Sequence, residues 1–74
     1  MNEELFNAMV EVVKTSTPVR EWQENVDYYK QFEGVEKFLA EAEATLAVHE
    51  KAFKSAGKRF IKAFKKIYGE EATS

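Results

Sequence analysis

A seven-residue repeat of apolar side chains constrains the fold of this chain more than any other feature. Large residues recur every seven positions in its second half, and a smaller residue follows each of the first four by three positions. The two columns are Leu39, Leu46, Phe53, Phe60 and Ile67, and Ala42, His49, Ala56 and Ala63. This spacing keeps one helix face turned toward a neighbouring helix. We predict a long helix over residues 35–68, with these nine residues as a seam for helix packing or dimer formation.

Two shorter amphipathic helices are predicted before the long one. Over residues 3–14, apolar residues recur at three- and four-residue spacing, and Asn2 can cap this helix. Pro18 then indicates a break, because proline fits the first turn of a new helix and does not fit a helix interior. The second helix is predicted over residues 18–32, and Gly34 can end it in a left-handed conformation.

These elements predict an all-α fold, a small helical bundle that forms one domain over residues 1–74, with a frayed tail at 69–74. Gly57 is the weak point of the long helix, since glycine costs about 1 kcal/mol relative to alanine there. The heptad columns continue across it in phase, so we expect a continuous helix, with a kink near Gly57 as the alternative. A core of 74 residues without cysteine is thin, so we also expect a homodimer.

The first residues and the hydropathy of the sequence indicate in which compartment the protein is expected. The first residues lack the basic segment and apolar run of a signal peptide. No stretch approaches the ~18 consecutive apolar residues of a transmembrane helix. We therefore expect a cytoplasmic protein.

The sequence offers little for catalysis or metal binding. His49 is the only histidine, and the absence of cysteine excludes a thiol nucleophile and a thiolate metal site. His49 and Glu50 resemble the start of an HExxH zinc motif, but Phe53 stands where the second histidine belongs. We predict no enzyme activity, no cofactor and no metal. His49 is interpreted as a core or boundary residue, with a pH-sensitive interface as the alternative.

Charge is distributed unevenly along the chain. Residues 1–50 hold eleven acidic and four basic residues, whereas residues 51–74 hold seven basic and two acidic ones. The basic residues surround the apolar side of the long helix. This basic face consists of Lys51, Lys54, Lys58, Arg59, Lys62, Lys65 and Lys66. A basic amphipathic helix can dock an acidic protein, follow nucleic-acid phosphates or lie on an anionic membrane.

We therefore predict a small noncatalytic binding or regulatory protein whose basic face docks an acidic partner, either a protein surface or nucleic-acid phosphates. A membrane surface is not the partner we expect. The alternative is a structural or assembly module, in which two long helices pack antiparallel as a homodimer and set each acidic half beside the other's basic half. The preceding helices could instead fold back and supply the acidic residues within one chain.

Overall fold

The computed structural model describes residues 2–69, which form two antiparallel α-helices and contain no strand. Helix α1 spans Glu3–Tyr29 and helix α2 spans Glu36–Tyr68. The hairpin is elongated, with extents of 52 × 23 × 15 Å. Neither of these two helices has the run of apolar sequence needed to cross a bilayer. The fold is all-α as predicted, but it has two helices instead of three.

The predicted break at Pro18 is wrong, because α1 continues through it. Pro18 has no N–H to donate within the helix, and an interior proline costs about 3 kcal/mol. The three hydroxyls before it bond back onto helix carbonyls instead of capping a new helix. These bonds join Thr15 Oγ1 to the Glu11 carbonyl (2.7 Å), Ser16 Oγ to the Val13 carbonyl (2.7 Å) and Thr17 Oγ1 to the Val13 carbonyl (3.3 Å). The predicted helices 3–14 and 18–32 are therefore one helix, and its packing along α2 offsets the cost of the proline.

The chain reverses in the short segment between Tyr29 and Glu36. The first helix ends at Tyr29, three residues before the predicted boundary, and the Lys30 N–H donates to the Val26 carbonyl at 3.1 Å. Gly34 has a φ of +80°, which is the left-handed conformation that the sequence predicts for it. Glycine adopts this conformation without steric cost, so it allows the tight reversal.

Helix α1 begins with a side-chain cap, and helix α2 ends at a glycine. Asn2 Oδ1 accepts a hydrogen bond from the Leu5 N–H at 3.1 Å, as expected for an N-cap. Helix α2 is continuous across Gly57, as the phase of the heptad columns predicts. It stops before Gly69, whose φ is +78° and whose N–H donates to the Lys65 carbonyl at 2.7 Å. The predicted frayed tail lies, from residue 70 onward, outside the described residues.

The core lies between the helices, and the residues that form it differ from one end of the hairpin to the other. We call residues 18–50 the turn end, and residues 2–17 with 51–69 the open end. The turn end holds a buried cluster with a shell of partly buried residues. The cluster is Val26, Ala42 and Leu46, and its shell is Val19, Trp22, Tyr29 and Leu39. At the open end the buried contact is made by Leu5, Ala56 and Ala63, so small residues bring the two helices together there.

Candidate interaction surface

The predicted seam of α2 lies against α1 of the same chain. Its members Ala42, Leu46, Ala56 and Ala63 are buried, Leu39, His49 and Phe60 are partly buried, and Phe53 and Ile67 are exposed. A dimer through this seam would have to displace α1. The homodimer through the long helix stays a prediction, and the seam itself is occupied within the chain.

Residue offsets define the two sides of the open end. Leu5 on α1 and Phe60 on α2 both face the core. In an antiparallel pair, a residue a given number of positions after Leu5 lies on the same side of the hairpin as the residue the same number of positions after Phe60. One groove is lined by the residues at positions −1, +2, +3 and +6, counted from Leu5 on α1 and from Phe60 on α2. They are Glu4, Asn7, Ala8 and Glu11 on α1, and Arg59, Lys62, Ala63 and Lys66 on α2, with Lys65 beside them. We call the side with this groove the polar side.

Acidic residues of α1 face basic residues of α2 on the polar side. Lys66 Nζ lies 3.4 Å from Glu4 Oε2, and Glu11 lines the same groove as Arg59. Both side chains of the ion pair are more than half exposed, so the pair contributes at most about 1 kcal/mol. The first helix thus folds back over the second and brings acidic residues beside part of its basic face.

The basic face divides into two groups. Four members line the polar groove near the acidic residues of α1: Arg59, Lys62, Lys65 and Lys66. The other three recur at spacings of three and four along the outer surface of α2, and we call them the outer row: Lys51, Lys54 and Lys58. All seven side chains are exposed. Within residues 2–69, Lys66 is the one member held in an ion pair.

Large apolar residues cover the side opposite the polar groove. They stand at positions +1, +4 and +8, counted from Leu5 on α1 and from Phe60 on α2. On α1 they are Phe6, Met9 and Val13, and on α2 they are Ile61, Phe64 and Tyr68. Phe64 is partly buried, with its ring 4.6 Å from the ring of Tyr68, and the other five are between 41% and 64% exposed. We call these six residues the apolar side.

Sequence reasoning missed the apolar side. The spacing of Leu5, Phe6 and Met9 indicates one apolar stripe on α1 and does not show which of its residues face the core. The structure buries Leu5 and leaves Phe6 50% exposed. The sequence does contain a signal for this surface, because large apolar residues stand at the same positions after Leu5 on α1 and after Phe60 on α2. That signal can be interpreted only once the helices are known to be antiparallel.

Aromatic rings at the turn pack mainly on one another. The ring centroids of Tyr28 and Phe32 are 5.0 Å apart, and those of Tyr29 and Phe38 are 6.4 Å apart. The second pair joins the last residue of α1 to the first turn of α2. These contacts connect the two helices beside the turn and give the rings a structural role.

His49 is partly buried on the seam, at the place the boundary interpretation expects. No group of three acidic or histidine side chains in residues 2–69 is arranged to hold a metal ion. That the chain is not an enzyme stays a prediction, and a pH-sensitive interface at His49 stays the alternative to the boundary interpretation.

Comparison with protein-family models, with curated proteins and with solved structures gives no significant match. No relative therefore assigns a role to the basic face or to the apolar side. The function of the hairpin is inferred below from the charge, exposure and packing of its own side chains.

Proposed function

We propose that this chain is a small noncatalytic binding protein, in which the basic face of α2 docks an acidic partner in the cytoplasm. One observation carries this proposal. Seven basic side chains in residues 51–66 are exposed, while seven of the nine seam residues of the same helix are buried or partly buried. Because the core needs none of these charges, they are available to a partner and can regulate it by occupying its acidic surface.

The outer row supplies the contact in this proposal. The polar-side group already lies beside Glu4 and Glu11, which reduces its attraction for a further anion. The outer row lies on the surface of α2 that points away from these acids. Lys51, Lys54 and Lys58 also border a groove with Gly57 and Ile61, so a partner can combine ionic and apolar contacts there.

An acidic protein surface fits this arrangement better than nucleic acid. Helix α2 has 33 residues and is roughly 50 Å long at 1.5 Å per residue. Its first half carries Glu36, Glu43 and Glu50 at heptad spacing, and an extended polyanion following the helix would meet these charges. A compact acidic surface can contact the open end alone and avoid that repulsion.

The test is a fluorescence anisotropy titration with a labelled oligoglutamate peptide and, separately, a labelled DNA duplex. The variant Lys51→Gln/Lys54→Gln/Lys58→Gln removes the three charges of the outer row. Its matched control, Arg59→Gln/Lys62→Gln/Lys66→Gln, removes three charges from the polar side. We expect the outer-row variant to weaken peptide binding about tenfold, which is ~1.4 kcal/mol. The control should change it by less than about threefold, with helicity by circular dichroism unchanged in both.

Two results would contradict this proposal. Unchanged peptide binding in the outer-row variant, or an equal loss in both variants, would remove the outer row as the contact. Tighter binding to the duplex than to the peptide, with an affinity that falls steeply with salt, would replace the acidic protein by nucleic-acid phosphates.

A second candidate function is a structural assembly module, and the apolar side favours it. A hairpin that leaves large apolar residues of both helices exposed at one end has an incomplete bundle there. In this function the partner is another copy of the chain, and the basic face contributes to the assembly itself.

A further inference from the structure

We propose that the outer row docks an acidic segment of a partner protein that carries a large apolar side chain among its carboxylates. This inference rests on the proposed function and names the chemistry of the partner. The apolar side chain enters the groove that Lys51, Lys54 and Lys58 border, which we call the recess, while the carboxylates pair with these lysines. A simple polyanion lacks that side chain, so the site distinguishes it from the segment that fits.

The recess is lined by both helices where the turn end meets the open end. Its apolar lining consists of Val19 from α1 and of Ala47, Phe53 and Ile61 from α2. Val19 is partly buried, whereas Phe53 and Ile61 are 36% and 53% exposed. The recess therefore keeps apolar surface in contact with water, and covering that surface is favourable.

Gly57 leaves room in the recess for a side chain of the partner. A Cβ at this residue would have no neighbouring atom within 4 Å. In a helix interior glycine is the poorest residue after proline, so the helix itself gains nothing from it. The effect of the glycine is open space beside exposed apolar atoms, which a branched side chain from outside can fill.

Charge selects an acidic occupant for the recess. Its lining contains three lysines, Lys51, Lys54 and Lys58, and one acidic residue, Glu50, which gives a net charge of +2. The three lysines are exposed, and none of them is in an ion pair within residues 2–69. The acidic residues of α1 that line the polar groove do not line the recess. A carboxylate-bearing partner is therefore attracted here, whereas a basic one is repelled.

The spacing of the lysines suits a helical segment. Lys51, Lys54 and Lys58 span seven positions of α2, which is about 10 Å at 1.5 Å per residue. A partner helix presents acidic residues at the same three- and four-residue spacing on one face. It can set these beside the lysines and lay one apolar residue over Gly57, as a helix does in a groove. A flat anionic bilayer cannot enter the recess, which favours a protein segment.

The test is a fluorescence anisotropy titration of the full chain with two labelled acidic peptides of equal charge. Both carry glutamates at three- and four-residue spacing, and a central residue is leucine in one and glutamine in the other, since both are good helix formers. The variant Gly57→Leu fills the recess from within the chain. Its matched control, Ala40→Leu, adds the same side chain to the same helix at an exposed residue outside the recess.

We expect the leucine peptide to bind about fivefold more tightly than the glutamine peptide, because docking buries part of an apolar side chain. Gly57→Leu should reduce this difference to less than about twofold, since the apolar surface is then already covered. It should leave the binding of the glutamine peptide unchanged, and Ala40→Leu should leave both peptides unchanged. Circular dichroism checks helicity, and if Gly57→Leu loses it, Ile61→Ser, which removes an exposed wall of the recess, takes its place.

The contrary outcomes separate this inference from the proposed function. If Lys51→Gln/Lys54→Gln/Lys58→Gln weakens the binding of neither peptide, the proposed function fails and this inference fails with it. Equal affinities for the two peptides, both lowered in that lysine variant, leave the proposed function in place and overturn the recess as an apolar contact. A preference for leucine that survives Gly57→Leu overturns it as well.

Two further results would assign the recess to another occupant and overturn the partner segment. Tighter binding to phosphatidylserine vesicles than to the leucine peptide would assign it to a membrane. A dimer in sedimentation equilibrium that Gly57→Leu dissociates would assign it to a second copy of the chain.

Discussion

The turn end and the open end belong to the same two helices but use their apolar residues differently. At the turn end Val26 and Leu46 are 2% and 7% exposed, and aromatic and aliphatic side chains pack around them. At the open end the helices meet through Leu5, Ala56 and Ala63. Several larger apolar residues there, such as Phe6, Val13 and Ile61, lie to the side and remain exposed.

This difference separates the residues that stabilise the hairpin from the residues that are available to bind a partner. Burial of apolar surface contributes roughly 25 cal/mol per Å², so the residue sizes at the turn end give it the larger share of the folding free energy. The open end carries all seven members of the basic face and seven of the eleven large apolar side chains that are exposed within residues 2–69, the other four being at the turn end. Substitutions should therefore affect stability at one end and association at the other.

The largest expected effect comes from truncating one aliphatic residue at each end. Leu46→Ala should lower the free energy of unfolding by about 3 kcal/mol, because it leaves a cavity in the buried cluster. Ile61→Ala should lower it by less than about 0.5 kcal/mol, since its side chain is already half exposed. Urea unfolding followed by circular dichroism, at a concentration that keeps the chain monomeric, measures both. Equal losses would remove the distinction between the two ends.

A smaller effect is expected at Pro18, where the two ends of α1 meet. Pro18→Ala should raise the free energy of unfolding by about 2 kcal/mol, because alanine restores an N–H for the helix and suits its interior. Thermal unfolding measures the gain. Hydrogen exchange along α1 should show slower exchange at the open end, which is joined to the buried cluster through this residue. A loss of stability would mean that the proline ring contributes to the packing against α2.

The smallest effects, of opposite sign, are expected at two glycines. Gly34→Ala at the turn should cost about 1 kcal/mol, since its φ of +80° strains any residue with a Cβ. Gly57→Ala at the open end should add between about 0.5 and 1 kcal/mol, because it sits in a helix with open space around it. Chemical denaturation of the two variants measures the change in the free energy of unfolding for each. A loss at Gly57 would show that the recess beside it is needed for folding.

The parts of the fold that depend on local pattern were predictable from the sequence. The span of α2 and its continuity across Gly57 follow from the phase of the heptad columns. The cap at Asn2 and the left-handed conformation of Gly34 follow from what those side chains allow. Each of these features is decided within a few residues of itself.

The parts that depend on the other helix were not predictable in this way. Pro18 is compatible with the first turn of a helix, and only the packing of α1 along α2 decides that it lies inside one. The apolar stripe of α1 likewise does not show which of its residues face the core. That division depends on where α2 lies, and α2 follows later in the sequence.

The short connection between the helices also sets the order in which the hairpin closes. Contacts beside the turn, such as that between Tyr29 and Phe38, join residues near in sequence and lose little loop entropy on forming. The contact between Glu4 and Lys66 joins residues 62 positions apart. We therefore expect the helices to pair first beside the turn and to separate first at the termini. We expect the lysine-bearing end to form last, so a partner of the proposed kind, bound there, would stabilise the part of the hairpin that opens first.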